Sequence, residues 1–82
     1  MAKSGKTHKA NLEKVDFEDA NLKGVSFKNA ILKNAKFNGA DLYKADFTGA
    51  DLTGAEFKKA LIDETNFQGA TGYDSLMLNE PQ

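Results

Sequence analysis

Residues 10–69 read ANLEK VDFED ANLKG VSFKN AILKN AKFNG ADLYK ADFTG ADLTG AEFKK ALIDE TNFQG, twelve five-residue units with no insertion between them. The first position of the unit is Ala in nine of the twelve. The third position is always large and apolar: Leu and Phe alternate there, Ile62 replaces one Leu, and all six Phe of the chain are included. The sequence is therefore an internal repeat with a period of five residues.

A period of five fits neither a long α-helix nor a continuous β-strand. At about 100° per residue, five helical residues advance about 500°, so successive apolar residues would form no face. On a strand the side chains alternate, and an odd period sends successive apolar residues to opposite sides. A short extended piece followed by a turn satisfies both constraints. We therefore expect the chain to turn once in every unit.

The fifth position of the unit supports a turn there. It holds five Gly, together with Asn29 and Asn34, and these residue types tolerate the positive φ of a type II turn. The remaining units end in Lys14, Asp19, Lys44, Lys59 and Glu64. Because positive φ is costlier for these five, the sequence predicts a mixture of turn types. Corners in one direction wind the backbone into a solenoid whose neighbouring coils pair through hydrogen bonds.

The alternation of Leu and Phe indicates how many sides the solenoid has. Its period is ten residues, so a three-sided coil would stack Leu on Phe, whereas a four-sided coil of 20 residues keeps each column uniform. We therefore predict an all-β, four-sided solenoid of about three complete coils, with a filled interior and the Phe on opposite walls. The predicted core columns are Leu12, Leu32 and Leu52; Phe17, Phe37 and Phe57; Leu22, Leu42 and Ile62; and Phe27, Phe47 and Phe67.

The unit resembles that of the pentapeptide-repeat proteins, in which Ala is followed by Asp or Asn, then by Leu or Phe, then by two variable residues. The resemblance covers residues 10–69 and implies a right-handed quadrilateral β-helix. Ile31, Lys36 and Leu61 depart from the pattern at the second position. A degenerate thirteenth unit begins at Ala70, and Gly72 replaces its central apolar residue, so we expect the regular coil to end there.

The repeats divide the chain into a polar leader, 1–9, a solenoid domain, 10–69, and a C-terminal segment, 70–82. In the last segment Leu76, Met77 and Leu78 belong to the only apolar run outside the repeats. One interpretation is a short cap that folds over the last coil, since a solenoid otherwise exposes apolar side chains and unpaired edges at its ends. The other, which the resemblance implies, is a homodimer contact through an end of the solenoid.

The charges are nearly balanced, with eleven Lys, no Arg and twelve acidic residues, for a net charge of −1. Without Arg there is no bidentate group for phosphate or guanine, so we expect no nucleic-acid partner. No apolar run approaches the roughly 18 residues of a membrane span, and the leader has no hydrophobic region typical of a signal peptide. We therefore expect a cytoplasmic protein with no membrane contact. Cys is absent, which excludes disulfides and thiolate sites.

The 20-residue period places outward-facing side chains in columns. Asp16, Lys36 and Glu56 form one column of alternating sign, and Lys44 is expected to lie beside Glu64. Exposed pairs of this kind contribute at most about 1 kcal/mol each. The expected result is a self-neutralising surface.

Three apolar residues, Ile31, Tyr43 and Leu61, are expected on the outside of the solenoid. Tyr43 and Leu61 share a wall, one coil apart, and form a candidate interaction surface. Scattered exposed hydrophobic residues are also ordinary on proteins, so both interpretations remain open.

No constellation of catalytic groups is recognisable. His8 is the only histidine and lies in the polar leader, so no Ser/His/Asp arrangement can be assembled. Carboxylates on a filled solenoid point into water, where nothing encloses a substrate. The densest acidic spot is Asp16, Glu18 and Asp19, for which weak cation binding is the alternative to a plain solvated surface. We predict no catalytic residue, no cofactor, no metal centre and no enzymatic activity.

Two functional classes remain. The first is a small structural scaffold or protein-protein interaction module that binds an unidentified protein partner through a wall or an end. The second, which the resemblance implies as an alternative, is a DNA mimic that binds topoisomerases. Residues 10–69 hold ten acidic residues and eight Lys, so their net charge is 8 − 10 = −2, whereas duplex DNA carries one charge per about 1.7 Å. The first class is therefore preferred.

Overall fold

The computed structural model describes residues 9–72, and within them the ordered backbone consists of turns and single-residue bridges, with no helix and no longer strand. Nine parallel bridges join residues 20 apart in this range, from Asn11 with Ile31 to Asp51 with Thr71. Since four units make 20 residues, the predicted register is confirmed. A membrane-spanning helix is therefore not found in the described part of the chain.

Backbone hydrogen bonds connect each unit to the turn before it and to the coils on both sides. In a central unit the N–H of Ala45 donates to the carbonyl of Leu42 at 2.8 Å and closes the turn. The N–H of Asp46 donates to the preceding coil at 3.0 Å, and those of Phe47 and Gly49 donate to the following coil at 2.7 and 3.0 Å. Four of the five N–H groups of the unit thus have backbone acceptors.

The fifth N–H group, at the fourth position of the unit, is bound by the side chain two residues earlier. A short side chain with an oxygen acceptor reaches it in an Asx turn, or in the Ser equivalent. This explains why Asp, Asn or Ser occupies the second position of most units. The acceptors, at 2.9 to 3.4 Å, are Asn11, Asp16, Asn21, Ser26, Asp41, Asp46, Asp51 and Asn66.

The turns are uniform, so the predicted mixture of turn types is wrong. All twelve residues at the fifth position have a positive φ, between 57° for Glu64 and 75° for Gly54. Together with the hydrogen bond across each turn, this is the geometry of a type II turn. The reason is that coil pairing fixes the turn whatever residue is present: the N–H of Lys44, for example, donates to Asp63 O of the next coil at 3.1 Å. The lysines and acids at these positions accept a backbone conformation that their own preference disfavours.

The interior is filled by two phenylalanine columns that meet at the centre. Phe37 stacks between Phe17 and Phe57, with ring centroids 5.2 and 5.0 Å away. It also meets Phe27 and Phe47 of the opposite column edge to face, at 5.7 and 5.4 Å. Among the described residues no polar side chain is buried. The core is therefore wholly apolar, as the alternation of Leu and Phe predicts.

Burial follows the position of a residue along the solenoid. The central leucines, Leu32, Leu42 and Leu52, are fully buried, whereas Leu12 in the first coil is only half-buried. Ile31 is also half-buried, which corrects the expectation that it lies exposed. It stands in the middle of a column, bridged to a residue on each side, so its neighbours cover it. Leu61, bridged on one side only within the described residues, stays 58% exposed.

The coil pairing continues beyond the last regular unit. Thr71, in the degenerate thirteenth unit, bridges to Asp51, and the N–H of Leu52 donates to its carbonyl at 2.7 Å. Gly72 follows with a φ of 70°. The predicted leader, with His8, and the predicted cap or dimer contact at Leu76, Met77 and Leu78 lie outside the described residues.

Candidate functional site

The surface formed by residues 9–72 contains two depressions that could hold a small group. Each depression has a volume of about 330 Å³ and lies on the outside of the solenoid. One is lined by Lys9, Glu13, Asn29, Ala30, Ile31, Lys33, Gly49, Asp51 and Thr71. The other is lined by Glu18, Asp19, Asn38, Gly39, Lys58 and Lys59. Most of these side chains are exposed, so neither depression surrounds a ligand.

The acidic residues do not converge on a metal site. Among residues 9–72 no group of three or more Asp, Glu, His or Cys side chains is arranged to hold a metal ion. The column of Asp16, Lys36 and Glu56 is stacked as predicted, since both pairs are bridged, but the described residues show no ion pair in it. Glu56 instead accepts a hydrogen bond from the amide of Asn38.

One wall carries both large exposed hydrophobic residues of the described chain. We call it the Tyr43–Leu61 face, and it consists of Asn21, Lys23, Asp41, Tyr43, Leu61 and Asp63. Asp41 is bridged to Asn21 on one side and to Leu61 on the other, which aligns the second positions of three coils. The exposed fractions are 38% for Tyr43 and 58% for Leu61. The prediction that these two residues share a wall and face solvent is therefore confirmed.

Most of the charges on and beside this face are paired. Lys23 Nζ lies 3.6 Å from Asp41 Oδ2, and Lys44 Nζ lies 4.0 Å from Glu64 Oε1, as the column spacing predicts. Lys44 Nζ is also 5.3 Å from the centre of the Tyr43 ring. All four charged groups keep water access, so the pairs contribute at most about 1 kcal/mol each. The Asp63 carboxylate belongs to neither pair.

Leu61 is exceptional within its own column. Asn21 and Asp41 accept the N–H groups of Lys23 and Tyr43 at 3.3 and 3.2 Å, but a leucine offers no acceptor to Asp63. Among the described residues the N–H of Asp63 has no protein acceptor. Leu61 thus places apolar surface in water at a position where its column otherwise holds a polar turn residue.

A second polar centre lies on a neighbouring wall, around Asn38. Its Oδ1 accepts the N–H of Lys58 at 2.8 Å, replacing the acceptor that Glu56 is too long to provide. Its Nδ2 donates to Glu56 Oε1 at 2.8 Å and to Glu18 Oε2 at 3.3 Å. The sequence analysis missed this link among three coils. The signal for it was the 20-residue spacing that places Glu18, Asn38 and Lys58 in one column.

Two carboxylates on the remaining walls have altered acidity. The hydroxyl and N–H of Thr48 donate to Asp46 Oδ1 at 2.5 and 2.9 Å, and they lower the pKa of Asp46. Thr53 lowers the pKa of Asp51 in the same way. Hydrogen bonds to the ionised form favour ionisation. Both aspartates act as turn acceptors, so these shifts reflect local structure and do not mark a catalytic group.

These features define the class as a solenoid with a filled apolar core and polar outer walls. Within that class the comparison with known families is specific: the family model described as pentapeptide repeats, in eight copies, matches residues 10–49 and 40–71. The chain belongs to the pentapeptide-repeat family, as its resemblance implies. No curated protein matches it.

Several solved structures are similar to the chain. The pentapeptide repeat protein Rfr23 from the cyanobacterium Cyanothece 51142 is 38% identical, with a TM-score of 0.52 over 74% of this chain and 38% of its own. A pentapeptide repeat protein of the Arabidopsis thaliana thylakoid lumen is 35% identical, with a TM-score of 0.41 over 74% and 46%. One from Nostoc Pcc 7120 is 30% identical, with a TM-score of 0.31 over 76% and 64%. The chain therefore spans less than two thirds of each.

Proposed function

We propose that the protein is a non-enzymatic scaffold and interaction module, and that it binds a protein partner through the Tyr43–Leu61 face. The observation that carries this proposal is Leu61, which is 58% exposed at a position that otherwise supplies a turn acceptor. When a partner covers exposed apolar surface, the free energy falls by about 25 cal/mol per Å² of surface buried. The Tyr43 ring extends the same surface by one coil.

We also infer that the solenoid is a right-handed quadrilateral β-helix of about three complete coils with a short C-terminal cap. Membership of the pentapeptide-repeat family supports the handedness. The 20-residue register supports four sides. A homodimer through an end of the solenoid and a cytoplasmic location remain predictions.

The described area of the face suits a short segment of a partner chain. Three coils at about 4.8 Å and a wall about 16 Å wide give roughly 230 Å², whereas a standard interface covers about 800 Å² per partner. A short linear segment of a partner protein fits such an area better than a second globular surface does. Its apolar side chain would lie between Leu61 and Tyr43. A Lys or Arg beside it would pair with Asp63, whose carboxylate belongs to neither ion pair of the face.

A DNA mimic gains no support from the described walls. A mimic needs a continuous stripe of negative charge, since duplex DNA carries its charges at regular intervals of about 1.7 Å. Here positive and negative side chains lie side by side: Lys23 pairs with Asp41 and Lys44 with Glu64. The mixed signs favour an interaction module.

The test is selection of binders from a library of random short peptides displayed on phage, with the full chain as target. The discriminating variant is Leu61→Asn with Tyr43→Thr, because Asn restores the turn acceptor and Thr already occupies the fourth position in two other units. The matched control, Ile31→Asn, makes the same kind of change on another wall. We expect enriched peptides to combine an apolar residue with Lys or Arg, to lose binding to the double variant, and to retain it with the control.

Urea unfolding of both variants serves as the control that each keeps its fold. If no peptide is enriched, or if the enriched peptides bind the double variant as well as the unchanged chain, the face is not the docking site.

A further inference from the structure

Asn38 and Gly39 form the only Asn-Gly pair in the sequence. In such a pair the backbone nitrogen of Gly can attack the side-chain carbonyl carbon of Asn, since Gly has no Cβ to obstruct the approach. The new N–C bond closes a five-membered succinimide, and the side-chain nitrogen leaves as ammonia. Water then opens the ring to aspartate or to isoaspartate, so one water is consumed, one ammonia is released and nothing is oxidised.

The folded structure restrains both reacting groups. The Asn38 side chain is held by Lys58 N–H, Glu56 and Glu18, through three hydrogen bonds of 2.8, 2.8 and 3.3 Å. The attacking nitrogen of Gly39 donates its own N–H to Lys58 O at 2.8 Å. Ring closure requires Gly39 to leave this bond and Asn38 to rotate away from its partners. Both movements separate the second coil from the third.

We propose that Asn38 is a site of spontaneous deamidation that coil pairing protects, and that its conversion loosens the contact among three coils. The product carboxylate would face Glu18 and Glu56, and it would lose the two hydrogen bonds that the Asn38 amide donates to them. Isoaspartate adds one carbon to the backbone, which disturbs a register fixed at 20 residues. After deamidation the second and third coils therefore pair less stably. Aspartate or isoaspartate at this position accumulates in molecules whose coils separate often.

The first experiment compares deamidation in the folded and unfolded chain. The full protein is kept in mildly alkaline buffer, with and without concentrated urea, and is digested with trypsin at intervals. The tryptic peptide 37–44 contains Asn38 and no other Asn, so its mass reports on this site, while the remaining Asn residues serve as internal controls. We expect conversion at Asn38 to exceed that at any other Asn in urea. Folding should slow it at least about tenfold, since the reaction must wait for local opening.

The second experiment tests the effect of the product. Asn38→Asp should lower the urea midpoint, and adding Glu56→Gln should recover part of the loss by removing one of the facing charges. Glu56→Gln alone should give no such gain. The proposal is overturned if folded and unfolded chains react equally fast, if Asn38 is no faster than the other Asn residues, or if Asn38→Asp is as stable as the unchanged chain.

Discussion

The ring of Phe37 meets the ring of Phe47 edge to face, with centroids 5.4 Å apart and planes at 88°, although the two residues belong to opposite walls. Each ring also stacks on rings of its own column, with centroids 5.0 to 5.3 Å apart. The two columns therefore form one aromatic cluster along the axis. Aromatic pairs in these geometries contribute about 0.5–1.5 kcal/mol beyond area burial. A substitution at the centre of the cluster affects both columns.

Removal of a central ring should destabilise the protein more than removal of a terminal ring. Phe37 is fully buried, so Phe37→Ala should cost about 3–5 kcal/mol through lost burial and a cavity. Phe17 is only half-buried, and Phe17→Ala should cost clearly less. Urea unfolding of both variants measures the difference. Equal losses would show that the burial of a ring along the solenoid does not set its contribution to stability.

Substitution of Gly39 should cost more than the same substitution of Gly24. Both residues have positive φ, 73° and 69°, so alanine brings a similar backbone penalty, about 1 kcal/mol, at each position. A Cβ on Gly39 would collide with Asp19 Oδ1 of the preceding coil, whereas a Cβ on Gly24 meets no atom within 4 Å. The free energies of unfolding of Gly39→Ala and Gly24→Ala therefore isolate the collision.

A second substitution separates the collision from the backbone strain. Asp19→Gly removes the obstructing carboxylate, so it should restore much of the stability that Gly39→Ala loses. In the Gly24→Ala background Asp19→Gly should give a smaller gain, which comes only from relieving the positive φ of Asp19 itself, 60°. An identical effect of Asp19→Gly in both backgrounds would contradict the proposed contact.

The register of the fold was predictable, whereas the turns and the Asn38 centre were not. When a coil contains four units, the alternating Leu and Phe fall into columns of a single residue type. The column of Phe17, Phe37 and Phe57 therefore follows from the sequence. The turn at Lys44 was misjudged because residue preference treats each turn as independent, while coil pairing imposes one geometry on all of them. The hydrogen bonds of Asn38 depend on side-chain rotamers in three coils, which spacing alone does not determine.

Coil pairing holds several non-glycine residues at a positive φ, and replacing one of them by glycine should stabilise the protein. Lys59 has a φ of 61° and forms no ion pair within the described residues, so Lys59→Gly should raise the free energy of unfolding by about 0.5–1 kcal/mol. Lys58 precedes it in the same turn without a positive φ. Lys58→Gly should therefore lower stability by up to about 1 kcal/mol. Urea midpoints measure both, and a loss of stability in Lys59→Gly would show that positive φ is not strained there.

The hydrogen bonds of Thr48 and Thr53 should contribute to stability at neutral pH and be lost in acid. They lower the pKa of Asp46 and Asp51 from 3.8 in the folded state. Because a depressed folded pKa means that the unfolded chain binds protons first, this contribution is present above about pH 4 and disappears as pH falls through the folded pKa. The double variant Thr48→Val, Thr53→Val removes the hydroxyl donors. It should be less stable than the unchanged chain at pH 7, with a difference that shrinks as the pH falls below about 4.

Thr65 supplies the matched control for this pH dependence. Its hydroxyl donates to the carbonyl of Leu42 at 2.7 Å, and a backbone carbonyl does not titrate. Thr65→Val should therefore cost the same stability at every pH at which the chain remains folded. Urea unfolding of the three proteins across the acid range measures the two patterns. A difference for the double variant that stays constant with pH would show that Thr48 and Thr53 do not set the acidity of the two aspartates.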